Sequence, residues 1–363
     1  MFIPLGRPSD ASAERRHCLE LVSGHDAGRR FAVPAEGLRI GRTAPAELVF
    51  PDGDVSRLHC RIEMASGELF VTDLQSTNGS FIDDRRVEGA MRLPVGATLK
   101  IGGRLLRHDL LSAEQWRRYE EGERDLAAAA DYVLAMLPPP LTEGPIRTQW
   151  CYQPSAKLGG DAFGYGFLSP DCFILYVIDV SGHGAGAAMH SVAVMNLLRQ
   201  RALPNTDMGD PAAVLATLNT LFQMEQHADM YFTMWYAVYD LKTRRLDYAA
   251  AGHHPAYLVP AGGADTVPLG TRNSMIGAVP GRSFRTASRE IPPGGSLYMF
   301  SDGAFEIVTN VGAQWGLGDL LPAIVSASPE SPGECDRLLR FVRANARGGE
   351  LDDDFTLILF TFH

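Results

Sequence analysis

Short apolar runs separated by turn signals fill the first third of the chain. The candidate strands are CLELV, RRFAV, LRIGR, CRIEM, LFVTDL, SFIDD and ATLKIGG, and the candidate turns are SGHDAG, PDGD, ASGE and STNG. Seven or more strands at this spacing, with no helical stretch, predict an all-β sandwich over residues 18–111. The polar residues 1–17 are expected to be loose.

The pattern changes to a helical one at Ser112. Apolar side chains then fall roughly at helical spacing, at Trp116, Tyr119, Leu126, Tyr132, Val133 and Leu137. Ser112 and Gln115 form a candidate capping box, and the three prolines 138–140 end the helix. We therefore predict a linker helix within residues 112–140, either continuous or broken once near Gly122.

Strands and helices alternate after the prolines. The runs TQWCYQPS, CFILYVIDV, SLYMFSD and DDFTLILFTFH are typical of strands, and MYFTMWYAVYDLKTRRLDYAAAGHHPAYLVP of a hairpin of two long strands. The segments GAAMHSVAVMNLLRQRA, PAAVLATLNTLFQMEQ and PGECDRLLRFVRANA are typical of helices. This mixture predicts a layered α+β domain over residues 141–363.

Composition and charge argue against two classes of protein, disordered chains and nucleic-acid-binding proteins. The chain has 363 residues, of which 45% are hydrophobic and 21% charged, which excludes wholesale disorder. Residues 1–110 carry 15 basic and 15 acidic residues, whereas residues 111–363 carry 18 and 28, which is the whole net charge of −10. A field of that sign repels phosphate backbones, so we expect no nucleic-acid partner.

The sequence also indicates the cellular compartment in which the protein is expected. The N-terminus has no apolar core of signal-peptide length, and no apolar run reaches the roughly 18 residues of a membrane span. The five cysteines are an odd number without CxxC spacing, so neither a disulfide framework nor a zinc site is indicated. We expect a cytoplasmic protein without a membrane partner.

Three polar clusters lie at the ends of predicted strands in the first region. They are Gly41-Arg42, residues 56–59 (SRLH) and residues 76–79 (STNG). Each alone is typical of an ordinary turn, but the loops at one end of a sandwich can converge. Two arginine forks with hydroxyl and amide donors would then form a phosphate pocket.

The three clusters together resemble the forkhead-associated (FHA) domain, a phosphothreonine-binding β-sandwich. The resemblance implies that Arg42 and Ser56 contact phosphate, that Arg57 and Thr77 contact phosphate or peptide, and that Asn78 holds the peptide backbone. It gives His59 a structural role, bracing the loops. A protein carrying phosphothreonine is the implied partner.

Four aspartates recur at the edges of apolar strands in the acidic region. They are Asp161 after LGG, Asp179 at the end of FILYVID, Asp302 after LYMFS and Asp353 before FTLILF. One such Asp-Gly is commonly a turn, but four buried carboxylates without nearby Lys or Arg indicate divalent cations. Oxygen ligands favour Mg²⁺ or Mn²⁺ over zinc.

The order of these motifs resembles the metal-dependent (PPM-type) serine/threonine phosphatases, and most closely their bacterial, SpoIIE-like branch. The shared segments are YQPSAKLGGD, DVSGHGAGAAM, YAAAGHHPAYL, FSDGAFE and DDFTLIL. The resemblance implies an αββα sandwich with two metal ions that activate water and clamp the phosphoryl group. The implied metal-binding and catalytic residues are Asp179 as the bridging ligand, the Val180 carbonyl, Asp302, Asp353, and Asp161 either directly or through water.

Three histidines lie in or next to these motifs. His183 is either a general acid for the leaving oxygen or a loop residue without a role, and the second interpretation is favoured. His253 and His254 are expected to lie on a strand and so to point to opposite faces, with structural roles.

The resemblances together imply a phosphoserine/phosphothreonine protein phosphatase that needs Mn²⁺ or Mg²⁺ and is recruited or regulated through an FHA domain. They also imply a substrate such as a phosphorylated anti-sigma-factor antagonist. One alternative is a catalytically weak pseudophosphatase that scaffolds phosphoproteins, and another is an FHA domain that recognises a phosphothreonine of this protein or of its kinase. The linker helix either couples the domains, mediates a homodimer or is a passive spacer.

Overall fold

The computed structural model describes residues 15–23, 27–262, 265–309, 311–325 and 333–363. The predictions made for residues 1–14, for part of the turn SGHDAG and for the first residue of the last helical segment lie outside these ranges. The chain divides into two compact units, Met1–Asp125 and Leu126–His363, which are described separately. None of the helices within the described ranges has the length and hydropathy needed to cross a membrane.

The first unit is built from eleven described strands in two sheets. The strands are β1 (Arg15–Leu21), β2 (Arg30–Ala32), β3 (Leu38–Gly41), β4 (Leu48–Val49), β5 (Cys60–Ala65), β6 (Glu68–Asp73), β7 (Ser80–Ile82), β8 (Arg85–Arg86), β9 (Ala90–Leu93), β10 (Thr98–Ile101) and β11 (Arg104–Ser112). One sheet has the order β2-β1-β11-β10-β7-β8, and the other has the order β4-β3-β5-β6-β9.

Alternating side chains of the two sheets form a single core. Residues such as Leu19, Ile62, Val71 and Leu99 are fully buried in it. Successive residues of a strand point to opposite faces, so this burial needs only every second position to be apolar. The predicted all-β sandwich is confirmed.

Strand β11 was not among the predicted strands, because two of its inward positions are polar. Arg104 is buried against the carboxylate of Asp52, at 2.7 Å from Nε to Oδ2. His108 Nε2 lies 2.8 Å from Nδ1 of His17, and both rings are buried. These partners satisfy polar groups that would otherwise be costly to bury. Because Arg and His occupy inward positions, the sequence of β11 does not show the alternation of apolar and polar residues that is typical of a strand.

Helix α1 (Ala113–Met136) follows, and it confirms the predicted linker helix. The capping box is formed, because Gln115 N–H donates to Ser112 Oγ at 3.2 Å and Ser112 N–H donates to Gln115 Oε1 at 2.8 Å. The helix continues through Gly122 without a break.

Besides the C-terminal part of α1, the described residues of the second unit contain ten strands and four α-helices. The strands are β12 (Ile146–Gln153), β13 (Ala162–Ser169), β14 (Cys172–Val180), β15 (Phe232–Asp240), β16 (Arg245–Ala251), β17 (Ala256–Val259), β18 (Val267–Leu269), β19 (Ala287–Glu290), β20 (Gly295–Phe300) and β21 (Phe355–Phe362). The helices are α2 (Ala185–Arg199), α3 (Pro211–Leu221), α4 (Leu317–Val325) and α5 (Glu334–Asn345), with short 3₁₀ turns at Met224–Gln226, Asp302–Ala304 and Arg347–Gly349.

These elements form four layers. The sheet β13-β14-β15-β16-β19 packs against α2 and α3, and the sheet β12-β21-β20-β17-β18 packs against α4 and α5. Strand β21 shows the sandwich directly: Ile358 and Phe360 belong to the core between the sheets, whereas Leu357 and Leu359 belong to the core beneath the helices. The αββα architecture implied by the sequence resemblance is confirmed.

The predicted hairpin is only partly right. Its first two strands are β15 and β16, but the chain then leaves the sheet, and the last part forms β17 in the other sheet. Strand β13 was not predicted, because its glycines weaken the apolar pattern. Gly164 is needed there, since a Cβ at this position would overlap the hydroxyl of Tyr176.

Candidate functional site

An acidic cleft of about 310 Å³ opens in the second unit where strands of both sheets end. Asp179 is the penultimate residue of β14, Asp302 follows β20 and begins a 3₁₀ turn, and Asp353 precedes β21. All three line the cleft, together with Val180 and Asp352. The fold therefore brings together three of the four aspartates that the sequence singled out.

Burial and mutual repulsion raise the pKa values of these carboxyl groups. Burial, followed by the nearby charges of Asp302 and Asp353, raises the pKa of Asp179 to about 8. Burial, followed by Asp353 and Glu306, raises the pKa of Asp302 to about 6. The described residues lining the cleft include four acidic side chains, Asp179, Asp302, Asp352 and Asp353, so like charges lie close together.

Asp161 lies behind the cleft instead of lining it. The residue is only 3% exposed, and its Oδ2 accepts a 2.6 Å hydrogen bond from the hydroxyl of Thr356. Burial, then the charges of Asp179 and Asp354, raise its pKa well above the usual range, while Ser301 and Thr356 act in the opposite direction. Its position fits a role alongside Asp179, with its carboxylate oriented by the Thr356 hydroxyl.

The segment before Asp161 packs closely on the end of β14. A Cβ at Gly160 would lie 2.8 Å from the carbonyl oxygen of Val180, so only glycine fits there without a shift. This carbonyl belongs to the residue that the sequence resemblance assigns as a metal ligand.

The histidines occupy different surroundings. His183 is exposed and lines the acidic cleft. His253 and His254 follow the end of β16, where Gly252 has a φ of 71°, and their ring centroids lie 4.3 Å apart. The expectation that they occupy opposite faces of a strand was wrong, because the strand ends at Ala251.

Sequence reasoning assigned no role to Ser155, Ser301, Asp354 or Thr356, which surround Asp161 or line the cleft beside it. A weak signal was present in the Asp353-Asp354 doublet directly before an apolar strand. The serine and threonine residues gave no such signal, because both residue types are common in and beside strands without any functional role.

The donor chemistry of the cleft fits a hard divalent cation. Clustered carboxylates with raised pKa values are the ligands that such a cation would stabilise in their charged form. Across the described part of the chain, no group of three or more His, Cys, Asp or Glu side chains is placed to hold one metal ion. Mg²⁺ commonly keeps several waters and takes only one or two carboxylates from a protein, so a site of that kind remains compatible with this geometry.

A second concave site lies at one end of the β-sandwich of the first unit. This loop pocket has a volume of about 600 Å³, and its lining contains all five predicted phosphopeptide residues, Arg42, Ser56, Arg57, Thr77 and Asn78. Within the described residues, neither arginine side chain has a carboxylate partner, so both guanidinium groups are available to a ligand.

Hydrogen bonds between loops fix this pocket. Ser56 Oγ accepts from the N–H of Thr77 at 2.9 Å, and Asn78 Nδ2 donates to the carbonyl of Asp54 at 2.7 Å. His59 is fully buried: its Nδ1 accepts from Ser56 N–H at 3.1 Å, which leaves Nε2 to donate to the Gly79 carbonyl at 3.1 Å. The bracing position of His59 agrees with the structural role expected for it.

Gly41 also has a steric role beside the loop pocket. A Cβ at this position would overlap the carbonyl oxygen of Arg57. The chain can therefore bring Arg42 next to the Ser56 loop only with glycine before it.

Comparisons with known proteins agree with the two architectures. Phosphoserine phosphatase RsbP of Bacillus subtilis is 26% identical over 188 residues, which are 51% of this chain and 46% of that protein. FhaB of Mycobacterium tuberculosis, an FHA domain-containing protein, is 36% identical over 92 residues, which are 24% of this chain and 59% of that protein. The chain thus spans about half the length of these relatives.

Solved structures support the fold of the second unit. The SiaA-PP2C domain of Pseudomonas aeruginosa superposes with a TM-score of 0.58 at 17% identity, covering 68% of this chain and 99% of that one. The FHA domain family matches residues 38–102, and the family described as Stage II sporulation protein E (SpoIIE) matches residues 169–363. Because this second match covers more than half of the chain, the protein belongs to the SpoIIE family, with an FHA domain preceding its PP2C-like domain.

Proposed function

We propose that this protein is a phosphoserine/phosphothreonine protein phosphatase that depends on Mn²⁺ or Mg²⁺. The observation that carries the proposal is the convergence of Asp179, Asp302 and Asp353 in one cleft. The similarity to phosphoserine phosphatase RsbP supports the same reaction class.

The proposed ligands are Asp179, bridging two ions, the Val180 carbonyl, Asp302 and Asp353. Asp161 completes the site from behind, where the Thr356 hydroxyl orients its carboxylate. When bound, the ions would supply an activated water molecule and would neutralise the phosphoryl oxygens, so that no phosphoenzyme would be needed.

We propose that the loop pocket binds a protein carrying phosphothreonine. Arg42 and Ser56 contact the phosphate, Arg57 and Thr77 contact phosphate or peptide, and Asn78 holds the peptide backbone. The available guanidinium groups support this assignment, because they can give charge-assisted hydrogen bonds to phosphate oxygens. The FHA family match over residues 38–102 supports the ligand class.

The proposed domain limits are 18–111 for the FHA domain, 112–140 for the linker helix and 141–363 for the phosphatase domain. The family relationship further suggests a phosphorylated anti-sigma-factor antagonist as the substrate. In this proposal the FHA domain brings the enzyme to a phosphoprotein, or makes its activity depend on one.

The deciding experiment compares hydrolysis of a small aryl phosphate ester by wild type and Asp179→Asn, with and without Mn²⁺. We expect Mn²⁺-dependent turnover that is lost in the variant. Asp171→Asn is the matched control, because Asp171 precedes the other end of β14 and pairs with Lys242 at 2.5 Å on the surface. Equal turnover by wild type and Asp179→Asn would refute the proposed bridging ligand.

The alternative function is a catalytically weak scaffold that binds phosphoproteins. If wild type shows no turnover, calorimetric titration with Mn²⁺ separates the two functions. Absence of Mn²⁺ binding would support a phosphoprotein scaffold, whereas tight binding would support an enzyme that needs an activating partner.

A further inference from the structure

The carboxylate of Asp354 holds the chain segment that leads to Asp161. Its Oδ1 accepts hydrogen bonds from the N–H and the hydroxyl of Ser155, at 2.7 and 2.9 Å. Its Oδ2 accepts from the N–H of Gly160 at 2.6 Å and lies 3.5 Å from the N–H of Asp161. One side chain thus binds both ends of the loop 155–161.

Two glycines leave room for this contact. A Cβ at Gly159 would lie 2.5 Å from Asp354 Oδ2, and a Cβ at Gly303 would overlap the carbonyl oxygen of Asp354. The same carbonyl oxygen accepts a 2.9 Å hydrogen bond from the hydroxyl of Ser301. Asp354 is therefore fixed from its backbone side as well as through its carboxylate, and it is only 3% exposed.

The two ends of the loop belong to the acidic site. Ser155 lines the cleft, and Asp161 is close enough to Asp179 for the charge of Asp179 to raise the pKa of Asp161. The residue adjoining Asp354, Asp353, is itself in the cleft. Asp354 thus links two parts of the site. One is the loop 155–161, which ends at Asp161, and the other is the beginning of β21, next to Asp353.

We infer that Asp354 is a positioning residue of the phosphatase site, which sets the places of Ser155 and Asp161 relative to Asp353. This inference rests on the proposed function for its chemistry, but the loop contact can be measured without turnover. Hydrogen bonds that orient metal-site residues commonly change metal affinity or activity 10- to 100-fold when they are removed.

The test variant is Asp354→Asn, which keeps the side-chain volume but replaces one acceptor oxygen by an NH₂ group. That group cannot accept from Ser155 or from Gly160, so one end of the loop is released. The matched control is Asp240→Asn, because Asp240 accepts from the N–H and hydroxyl of Thr243, at 2.7 and 2.8 Å, in a turn outside the cleft. If Asp354→Asn does not fold, Ser155→Ala is the substitute test variant, because it removes only the hydroxyl that donates to Asp354.

We expect faster hydrogen–deuterium exchange across residues 155–161 in Asp354→Asn, but not in Asp240→Asn. We also expect a 10- to 100-fold loss in kcat for an aryl phosphate, or an equal rise in the Mn²⁺ concentration giving half-maximal rate. Faster exchange with unchanged kcat and Mn²⁺ dependence would reduce Asp354 to a structural residue and overturn the inference. Exchange equal to wild type would also overturn it.

If wild type is inactive, the proposed reaction is judged separately by the Mn²⁺ titration described above. The inference is then judged on exchange and on calorimetric Mn²⁺ affinity. A weaker affinity in Asp354→Asn supports it, and equal affinities, or no binding to wild type, overturn it.

Discussion

The hydroxyl of Thr356 donates a 2.6 Å hydrogen bond to Oδ2 of Asp161, joining residues 195 positions apart in the chain. Thr356 is fully buried in β21, and its N–H donates to Ser301 Oγ at 3.0 Å. The hydroxyls of Ser301 and Thr356 lower the pKa of Asp161, against the larger effect of burial. The Thr356 hydroxyl is thus the donor that orients this buried carboxylate.

Replacing Thr356 by valine removes the donor and keeps the shape. We expect the unpaired Asp161 oxygen to lower the free energy of unfolding by about 1–3 kcal/mol and kcat on an aryl phosphate by about tenfold or more. Steady-state kinetics over a range of Mn²⁺ concentrations measures the second effect. Thr356→Ser should restore activity, because it restores the hydroxyl.

Thr361→Val is the control for this change, because Thr361 is buried in the same strand but its hydroxyl lies 3.5 Å from Ser296 Oγ. We expect it to keep wild-type kcat. A Thr356→Val enzyme as active as this control would show that the hydroxyl does not support Asp161 in the reaction.

Mn²⁺ should stabilise the protein through the cleft carboxylates. Asp179 is buried among like charges, so Asp179→Asn should raise the thermal midpoint of the metal-free protein. Mn²⁺ at 100 times its dissociation constant should stabilise wild type by about 2.7 kcal/mol but leave the variant nearly unchanged. Differential scanning calorimetry with and without Mn²⁺ measures both shifts, and an equal Mn²⁺ shift in the two proteins would contradict the prediction.

Apolar continuity explains why much of the fold was predictable. Strand β14 is a run of nine mostly buried residues, and the structure gives it the predicted limits, Cys172–Val180. Strand β11 lacks such a run, because Arg104 and His108 occupy inward positions and depend on Asp52 and His17 from distant parts of the chain. Local patterning cannot reveal a strand whose polar core residues are satisfied by remote partners.

The same distinction applies to the acidic site. Asp179 and Asp302 were recognisable, because each stands at the end of an apolar strand. Thr356 and Asp354 were not, since their roles depend on hydrogen bonds to residues 155–161, nearly 200 positions earlier. Local sequence was therefore enough to predict the acidic residues at strand ends. The residues that orient them could be identified only from the tertiary structure.

Acid pH should destabilise the fold through His254. Burial lowers its pKa to about 4, whereas the unfolded chain titrates near 6.5. The folded state therefore disfavours the charged ring, so its contribution to stability is complete above pH 6.5 and is lost as pH falls toward 4. We expect a loss of about 2 kcal/mol between pH 7.5 and pH 5.

Comparison with His254→Asn tests this effect, because asparagine does not titrate and groups that do not interact with position 254 cancel in the difference. His253 does interact with His254, so the difference reports the pair. Urea unfolding at pH 7.5 and pH 5 gives the free energies of unfolding. The free energy of unfolding of wild type minus that of the variant should be smaller at pH 5 than at pH 7.5 by about the same amount. A difference that does not change with pH would rule out His254 as the source.

Phosphopeptide binding should depend on the guanidinium of Arg42. Arg42→Ala removes charge-assisted hydrogen bonds worth about 1.5–3 kcal/mol, so we expect affinity for a phosphothreonine peptide to fall about 10- to 100-fold. Arg61→Ala is the control, because Arg61 pairs with Glu63 at 2.9 Å outside the loop pocket. Calorimetry with phosphorylated and unphosphorylated peptides measures binding, while turnover of a small aryl ester should stay at the wild-type level. Unchanged phosphopeptide affinity in Arg42→Ala would remove this arginine from the proposed pocket.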